Sequence, residues 1–348
     1  MKNNLLFLGL LGFASLTNAY TFRPENTDVI VNPNMPVLYN ISESQTLYTN
    51  DTGTNSYWSS SFVTGSNNRQ YLLLSHTLAI PATGAGYHRS SILDLTSMTS
   101  YKSYVAAVTV PPSQGHTFSF ETDGYKLTSL TTDNLSTMHT TSDRSAVTFN
   151  LTFSATSKAL FNGATGQFTY GSGPTSQWAL PACHTTGSLT IANEEIHIRP
   201  EESFTWYERQ WGAGAPFSGN WTWFQVTLDN ADTKASIWII DNEAPYRRDR
   251  FATLRMADGG VRVLPVVYEP DFSRVWTSGV TGLVYPLQWR VEIGDEGYLL
   301  LQSTVEDQEM AGDERIETAY EGFMNFTGVL NGNEVSGFGL VEMVTLFE

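Results

Sequence analysis

The sequence predicts an all-β protein. No segment of about a dozen residues keeps the i, i+3, i+4 apolar spacing of an amphipathic helix. Short segments of alternating apolar and polar residues recur instead, and clusters of Gly, Asp and Asn separate them at roughly even intervals. Many short strands so spaced make antiparallel barrels or sandwiches. The chain has 348 residues, enough for one large or two ordinary domains. A glycine-rich stretch from Phe161 to Gly173, then a rise in tryptophan and acidic residues past residue 185, predicts two lobes, 20–184 and 185–348.

Residues 1–19 read as a secretory signal. Lys2 supplies the positive end, Leu5 to Leu11 the apolar run, and Thr17-Asn18-Ala19 a small-x-small cleavage site before Tyr20. That run is too short to span a membrane, and no later one is long enough. Six Asn-x-Ser/Thr sequons, at Asn40, Asn50, Asn134, Asn150, Asn220 and Asn325, fit a glycoprotein on the secretory route. The single cysteine, Cys183, excludes an intrachain disulfide and a cysteine-rich zinc site. Adjacent residues of an extended chain face opposite ways, so Cys183 and His184 are not expected to meet as a dyad. A net charge of −16 argues against nucleic acid and anionic membrane surfaces as partners.

In the first lobe, alternation and turn signals predict strands over 57–64, 69–80, 101–110, 116–121, 126–131 and 145–154. Val147 to Ser154 alternates strictly, with Asn150 on its polar face. Tyr71 to Leu74, Ser236 to Ile240 and Tyr298 to Leu301 are apolar runs that predict burial on both faces. Turns are expected at Thr122-Asp123-Gly124, Asp258-Gly259-Gly260, Gly294 to Gly297 and Asn331-Gly332.

The stretch from Phe204 to Phe224 is the candidate site. It holds four of the nine tryptophans, and Tyr207-Glu208-Arg209-Gln210 is an unbroken polar run among aromatics. In a strand, Tyr207 and Arg209 share one face and Glu208 and Gln210 the other. A charged residue in such company is either half of a structural Glu–Arg pair or a group facing a wet pocket. Asp241 and Glu243 follow an apolar run, where they either meet a ligand at a barrel mouth or start a turn. Tyr246-Arg247-Arg248-Asp249-Arg250 is a basic patch suited to neutralising acidic neighbours. The histidines are scattered, and Glu194-Glu195-Ile196-His197 suits a solvated strand edge better than a metal, so no metal site is expected. There is no nucleophile elbow and no phosphate-cradling loop. At the end of the chain, glycines from Gly322 to Gly339 suit a last hairpin with a bulge that closes a barrel. Glu321 and Glu342 either point inward as a carboxylate pair or cap the barrel by bonding backbone amides.

Glu208-Arg209-Gln210-Trp211-Gly212, Tyr320-Glu321-Gly322 and the closing Gly337 to Glu342 resemble the hydroxyneurosporene synthase-like family of paired lipocalin-type β-barrels. The resemblance spans most of the mature chain and implies two lipocalin-like antiparallel barrel or sandwich lobes and no cofactor. The secreted fungal members it is similar to imply one of two activities. One is the hetero-Diels–Alder joining of a tropolone o-quinone methide to humulene. The other is the addition of water to a prenyl alkene, as in kievitone hydratase. Bacterial hydratases of the family have His where this chain has Arg209, and arginine does not give up its proton.

On this reading an apolar pocket lies at or near the lobe interface and takes a small phenolic or terpenoid substrate. Trp206, Trp211, Trp221, Trp223, Trp238 and Asp241 are expected to bind it, and Tyr207, Glu208 and Arg209 to act on it. Core packing is the alternative for each aromatic. Cycloaddition would use Arg209 and Tyr207 as donors to a growing negative charge, and is slightly preferred; hydration would use Glu208 as a proton donor. A lipocalin-like carrier is the third reading. A homodimer is left open.

Overall fold

The computed structural model describes residues 20–49, 53–110, 118–144, 146–229 and 231–346. The expected signal segment, Asn50 and His116 lie outside them.

The first sheet starts with β1 (Thr54–Thr64), β2 (Gln70–Ile80), β3 (Ala85–Asp94) and β4 (Tyr101–Thr109). It continues with β5 (Ser119–Thr122), β6 (Tyr125–Ser129), β7 (Thr137–Arg144) and β8 (Val147–Ser154). Then come β9 (Leu160–Phe161), β10 (Gln167–Tyr170), the long β11 (Gly173–Ile191), β12 (Glu194–His197) and β13 (Phe204–Gly212). Its order is β4-β3-β2-β1-β13-β11-β8-β7-β6-β5, with β9, β10 and β12 added on β11.

Within the span of the expected strands, up to residue 154, two more are present, β3 and β7. In β3 the run Tyr87-His88-Arg89-Ser90-Ser91 is buried throughout. Alternation of polarity requires one wet face. Here Arg89 turns toward the second sheet while His88 turns into the first lobe against Tyr125.

The second sheet comprises β14 (Gly219–Leu228), β15 (Lys234–Glu243), β16 (Tyr246–Arg255) and β17 (Val261–Pro270). A separate hairpin, β18 (Val275–Thr277) with β19 (Val284–Pro286), interrupts it. It resumes with β20 (Gln288–Ile293), β21 (Gly297–Ser303), β22 (Glu309–Met310), β23 (Ala319–Leu330) and β24 (Asn333–Thr345). Pairing of β21 with both β20 and β23 closes a ring, β14-β15-β16-β17-β20-β21-β23-β24, with β22 outside it. The expected turns join β5 to β6, β16 to β17, β20 to β21 and β23 to β24. In the last, Asn331 and Gly332 both have positive φ, 50° and 76°, as a two-residue hairpin turn requires.

The ring closes without the expected bulge, since β24 keeps an unbroken register with both β14 and β23. Gly339 allows close approach instead: a Cβ there would lie 1.8 Å from the Gln225 carbonyl oxygen. The register shift is on β11, between Leu180 and Cys183 opposite β13. Pro181 lies in it, where a strand tolerates a residue with no N–H to pair.

A division at 184/185 is not where the chain changes sheet. Both residues lie inside β11, and β13 still belongs to the first sheet. The change falls between Gly212 and Gly219. The tryptophan-rich composition after residue 185 marks the face where the sheets meet, and β13 carries that face although it belongs to the first sheet. Phe224, Ile237, Ile239, Trp289 and Val341 fill the barrel interior. Trp58 and Trp206 from the first sheet form a separate layer with Trp221, Trp223, Trp238 and Leu340 from the outside of the barrel. The two sheets pack through that layer.

Candidate active site

Strand register builds the site. In the first sheet Arg89 lies opposite His76, His76 opposite Trp58, and Trp58 opposite Glu208. In the second, Glu321 lies opposite Glu342, Glu342 opposite Trp223, and Trp223 opposite Trp238. Directly paired residues of antiparallel strands share a face, so each row presents four side chains together. The rows meet between the sheets. Arg89 Nη2 lies 3.3 Å from Glu342 Oε1 and 3.7 Å from Glu321 Oε1. The rings of Trp58 and Trp223 meet edge to face at 5.1 Å. Trp238 Nε1 donates to Gln177 Oε1 at 3.0 Å, and Gln177 Nε2 donates to Glu208 Oε1.

All members of the two rows except Arg89 and Glu321 wall a cavity. Trp58, Tyr87, Tyr170, Trp221, Trp223 and Trp238 supply aromatic walls, and His76, Glu208 and Glu342 supply polar groups. Phe217, 60% exposed, and Ile316 also line it. A broader and more polar groove runs past Arg23, Asp229, Lys234 and Arg290.

Glu208 is one of two carboxyl groups that line the cavity. Its second oxygen accepts from Trp206 Nε1 at 3.4 Å, and it makes no ion pair among the described residues. Burial raises its pKa to about 8; the Gln177 hydrogen bond opposes the rise, and the Glu342 charge adds to it. At neutral pH it therefore holds its proton, and its neighbours orient it without ionising it.

His76 is neutral. Arg89 donates to His76 Nδ1 through Nη2 at 2.6 Å and Nε at 3.2 Å, which assigns the ring proton to Nε2, 2.9 Å from Ser56 Oγ. Burial and the neighbouring Arg89 hold its pKa well below the usual value. His76, Glu321 and Glu342 lie close enough together to hold a cation. Arg89 Nη2 stands among these three and supplies that charge.

The sequence profile of the AttH-like family matches residues 96–345. The chain belongs to the AttH-like family. It is 39% identical over 326 residues to kievitone hydratase of Fusarium solani subsp. phaseoli, covering 93% of this chain and 91% of that one. It is 36% identical over 357 residues to dehydratase asqC of Emericella nidulans, covering 97% and 99%. The crystal structure of kievitone hydratase from Nectria haematococca superposes with a TM-score of 0.87 at 38% identity, covering 94% of this chain and 99% of that one. The family resemblance and the paired-barrel fold expected from the sequence both hold. With a hydratase and a dehydratase as relatives over nearly its whole length, this AttH-like chain is an enzyme of the hydratase/cyclase type.

The AttH-like site keeps part of the predicted set. Glu208, Trp221, Trp223 and Trp238 line the cavity, and Trp206 lies behind it against Glu208 and Trp223. Tyr207, Arg209 and Trp211 occupy the opposite face of β13 and turn into the first lobe. Arg209 donates there to Ser44 O at 3.0 Å, Thr46 O at 2.9 Å, Gln210 O at 2.6 Å and Asn55 Oδ1 at 2.6 Å, and its guanidinium lies 4.2 Å from the Tyr57 ring centre. The Tyr207 hydroxyl donates to Gln45 Oε1. No structural Glu208–Arg209 pair forms either, because the two residues point to opposite sides. Asp241 is also away from the cavity: it shares the barrel-interior face of β15 with Ile239 and pairs with Arg250 at 3.1 Å and Arg248 at 3.5 Å. Arg247 pairs with Asp249 and Arg248 with Glu243, so the basic patch neutralises its acidic neighbours. Glu194, Glu195 and His197 are exposed on β12, a solvated strand edge. Cys183 is fully buried, and burial pushes its thiol pKa up.

Sequence reasoning missed His76, Arg89, Tyr87, Tyr170, Trp58 and Gln177. One signal was available. Tyr87-His88-Arg89 is a polar run inside a β-prone segment, the same anomaly that singles out Tyr207 to Gln210. Glu321 and Glu342 do lie side by side as a carboxylate pair, but on the outer face of the barrel, with Phe323 and Leu340 toward the first sheet, and not in its interior, because the neighbouring Tyr320, Val341 and Met343 take the interior face.

Proposed function

We propose that this chain adds water to, or removes it from, a trisubstituted alkene on a small prenylated phenol or terpenoid, with Glu208 as the proton donor. The observation that carries this reading is a buried carboxylic acid, neutral at physiological pH, set in an aromatic cavity with no ion-pair partner among the described residues. Protonating an alkene needs a donor whose pKa lies near the working pH. The carbocation that results is favoured by nearby aromatic rings, and Trp58, Trp223 and Trp238 line the cavity. Hydration and dehydration, for which the two relatives are named, are one chemistry in opposite directions, and by microscopic reversibility a residue that donates the proton in one accepts it in the other.

A hetero-Diels–Alder reaction between a tropolone o-quinone methide and humulene loses its support. Arg209 and Tyr207 were to stabilise the developing oxyanion, and both face away from the cavity. A pure carrier would leave a buried acid at a desolvation cost with no return. The test is incubation with kievitone and, separately, with the quinone-methide precursor plus humulene. Water addition to kievitone supports the proposal; cycloadduct formation alone would overturn it.

The secretory route belongs to the same reading. Asn40, Asn150 and Asn220 are exposed. Tyr20 is held at the proposed cleavage point by paired hydrogen bonds with the Gln70 side chain. N-terminal sequencing should start at Tyr20, and a glycosidase should shift the gel mobility. A protein that retains Met1 and does not shift would refute secretion.

A further inference from the structure

Facing Glu208 from the second sheet is another carboxylate, built differently. Glu342 lies directly across β23–β24 from Glu321. Both are buried, and Glu342 is the one that lines the cavity. Arg89, fully buried, reaches both with Nη2. Trp221 Nε1 donates to the other Glu342 oxygen at 3.1 Å. Two buried carboxylates beside one guanidinium do not both ionise, so the pair holds one proton. Burial, reinforced by Glu342 and opposed by Arg89, raises the Glu321 pKa well above the carboxylate range. Arg89 Nη2 and Trp221 Nε1 each donate to a different oxygen of Glu342, so that carboxylate is the one equipped to hold the negative charge at the cavity wall. Arg89 Nη1 is buried with no acceptor among the described residues.

We propose that Glu342 is the base of the reaction, taking a proton from the water as it adds to the carbocation, and that Arg89 is its positioning residue. This rests on Glu208 being the acid. Glu208 gives its proton to the less substituted alkene carbon; the π pair forms the new C–H bond and the neighbouring carbon becomes cationic. A lone pair of water forms the C–O bond, the O–H pair stays on oxygen, and the released proton goes to Glu342. Alkene and water become a tertiary alcohol with no change in oxidation level. Return of the proton from Glu342 to Glu208 resets the site. In the dehydration direction Glu342 protonates the leaving hydroxyl.

The full mature chain, Glu208→Gln, Glu342→Gln and Glu342→Asp are each incubated with kievitone in D2O, and hydration and deuterium entry at the alkene carbon are read by mass spectrometry. Glu208→Gln should lose both. Glu342→Gln should lose hydration by at least about 100-fold yet still exchange deuterium, because the acid step is intact. Glu342→Asp should regain part of the hydration. Glu342→Gln hydrating within about threefold of wild type, with Glu208→Gln inactive, would overturn the base assignment and leave the hydratase reading standing. Folded Glu342→Gln losing exchange as well would also overturn it. Active Glu208→Gln, or a wild type inert toward kievitone, would remove the hydratase reading and this inference with it. If Glu342→Gln fails to fold, Glu342→Asp decides: its ratio of exchange to hydration should rise, and an unchanged ratio refutes the proposal.

Discussion

Glu208→Gln should change the pH dependence of stability in a calculable way. In the unfolded chain Glu208 titrates near 4.5, and in the folded protein near 8. Below the first value both states hold the proton and the site contributes no pH dependence. Between the two the unfolded state has released a proton that the folded state keeps, so unfolding becomes easier as pH rises. At ~1.4 kcal/mol per pH unit the gap amounts to about 5 kcal/mol of stability, present at pH 4.5 and lost by about pH 8. Glutamine keeps the shape and has no proton to lose, so the variant lacks this slope. Glu321 and His76 also titrate differently in the two states, so the quantity to follow is the difference between variant and wild type. Chemical denaturation at steps from pH 5 to pH 9 should show the variant gaining on wild type by several kcal/mol, most of it by pH 8. The hydration rate of wild type should fall with a midpoint near pH 8, as the acid loses its proton, while the variant is inactive throughout. A stability difference independent of pH over this range, with no alkaline limb in the rate, would mean that Glu208 is ionised in the folded protein and is not the acid.

Arg209→Met should behave in the opposite way. It strands carbonyl acceptors at Ser44, Thr46 and Gln210 and the Asn55 side chain, so denaturation should show a loss of about 3–5 kcal/mol, with the rate per folded molecule within a few-fold of wild type. A stable but inactive variant would return Arg209 to the chemistry. Gln177→Leu removes the hydrogen bond that opposes the rise in the Glu208 pKa, so the alkaline limb of the pH–rate profile should move upward; a downward move would refute the assignment. Trp223→Ala opens a hole in the fully buried inter-sheet layer and should cost about 3–5 kcal/mol, measured in the same denaturation assay, with substrate affinity falling as well.

The all-β class and the contrast between the two faces of β13 were legible in the sequence, because a strand places side chains with a period of two and that rule is local. It separates Glu208 and Gln210 from Tyr207, Arg209 and Trp211 wherever the strand lies. It says nothing about which face meets the cavity. That depends on β1 and β11 flanking β13, and on the barrel packing its Trp221, Trp223 and Trp238 side against one face of the resulting sheet. The terminal hairpin put Glu321 across from Glu342, since Asn331-Gly332 sets the register of the two strands around it. Arg89 and His76, the groups that decide what the pair does, come from strands more than 200 residues earlier in the chain. No local pattern links them to Glu342. Sheet order and sheet packing are settled by burial summed over the whole chain, so the side-chain sets were written in the sequence, and their meeting was decided only by the tertiary structure.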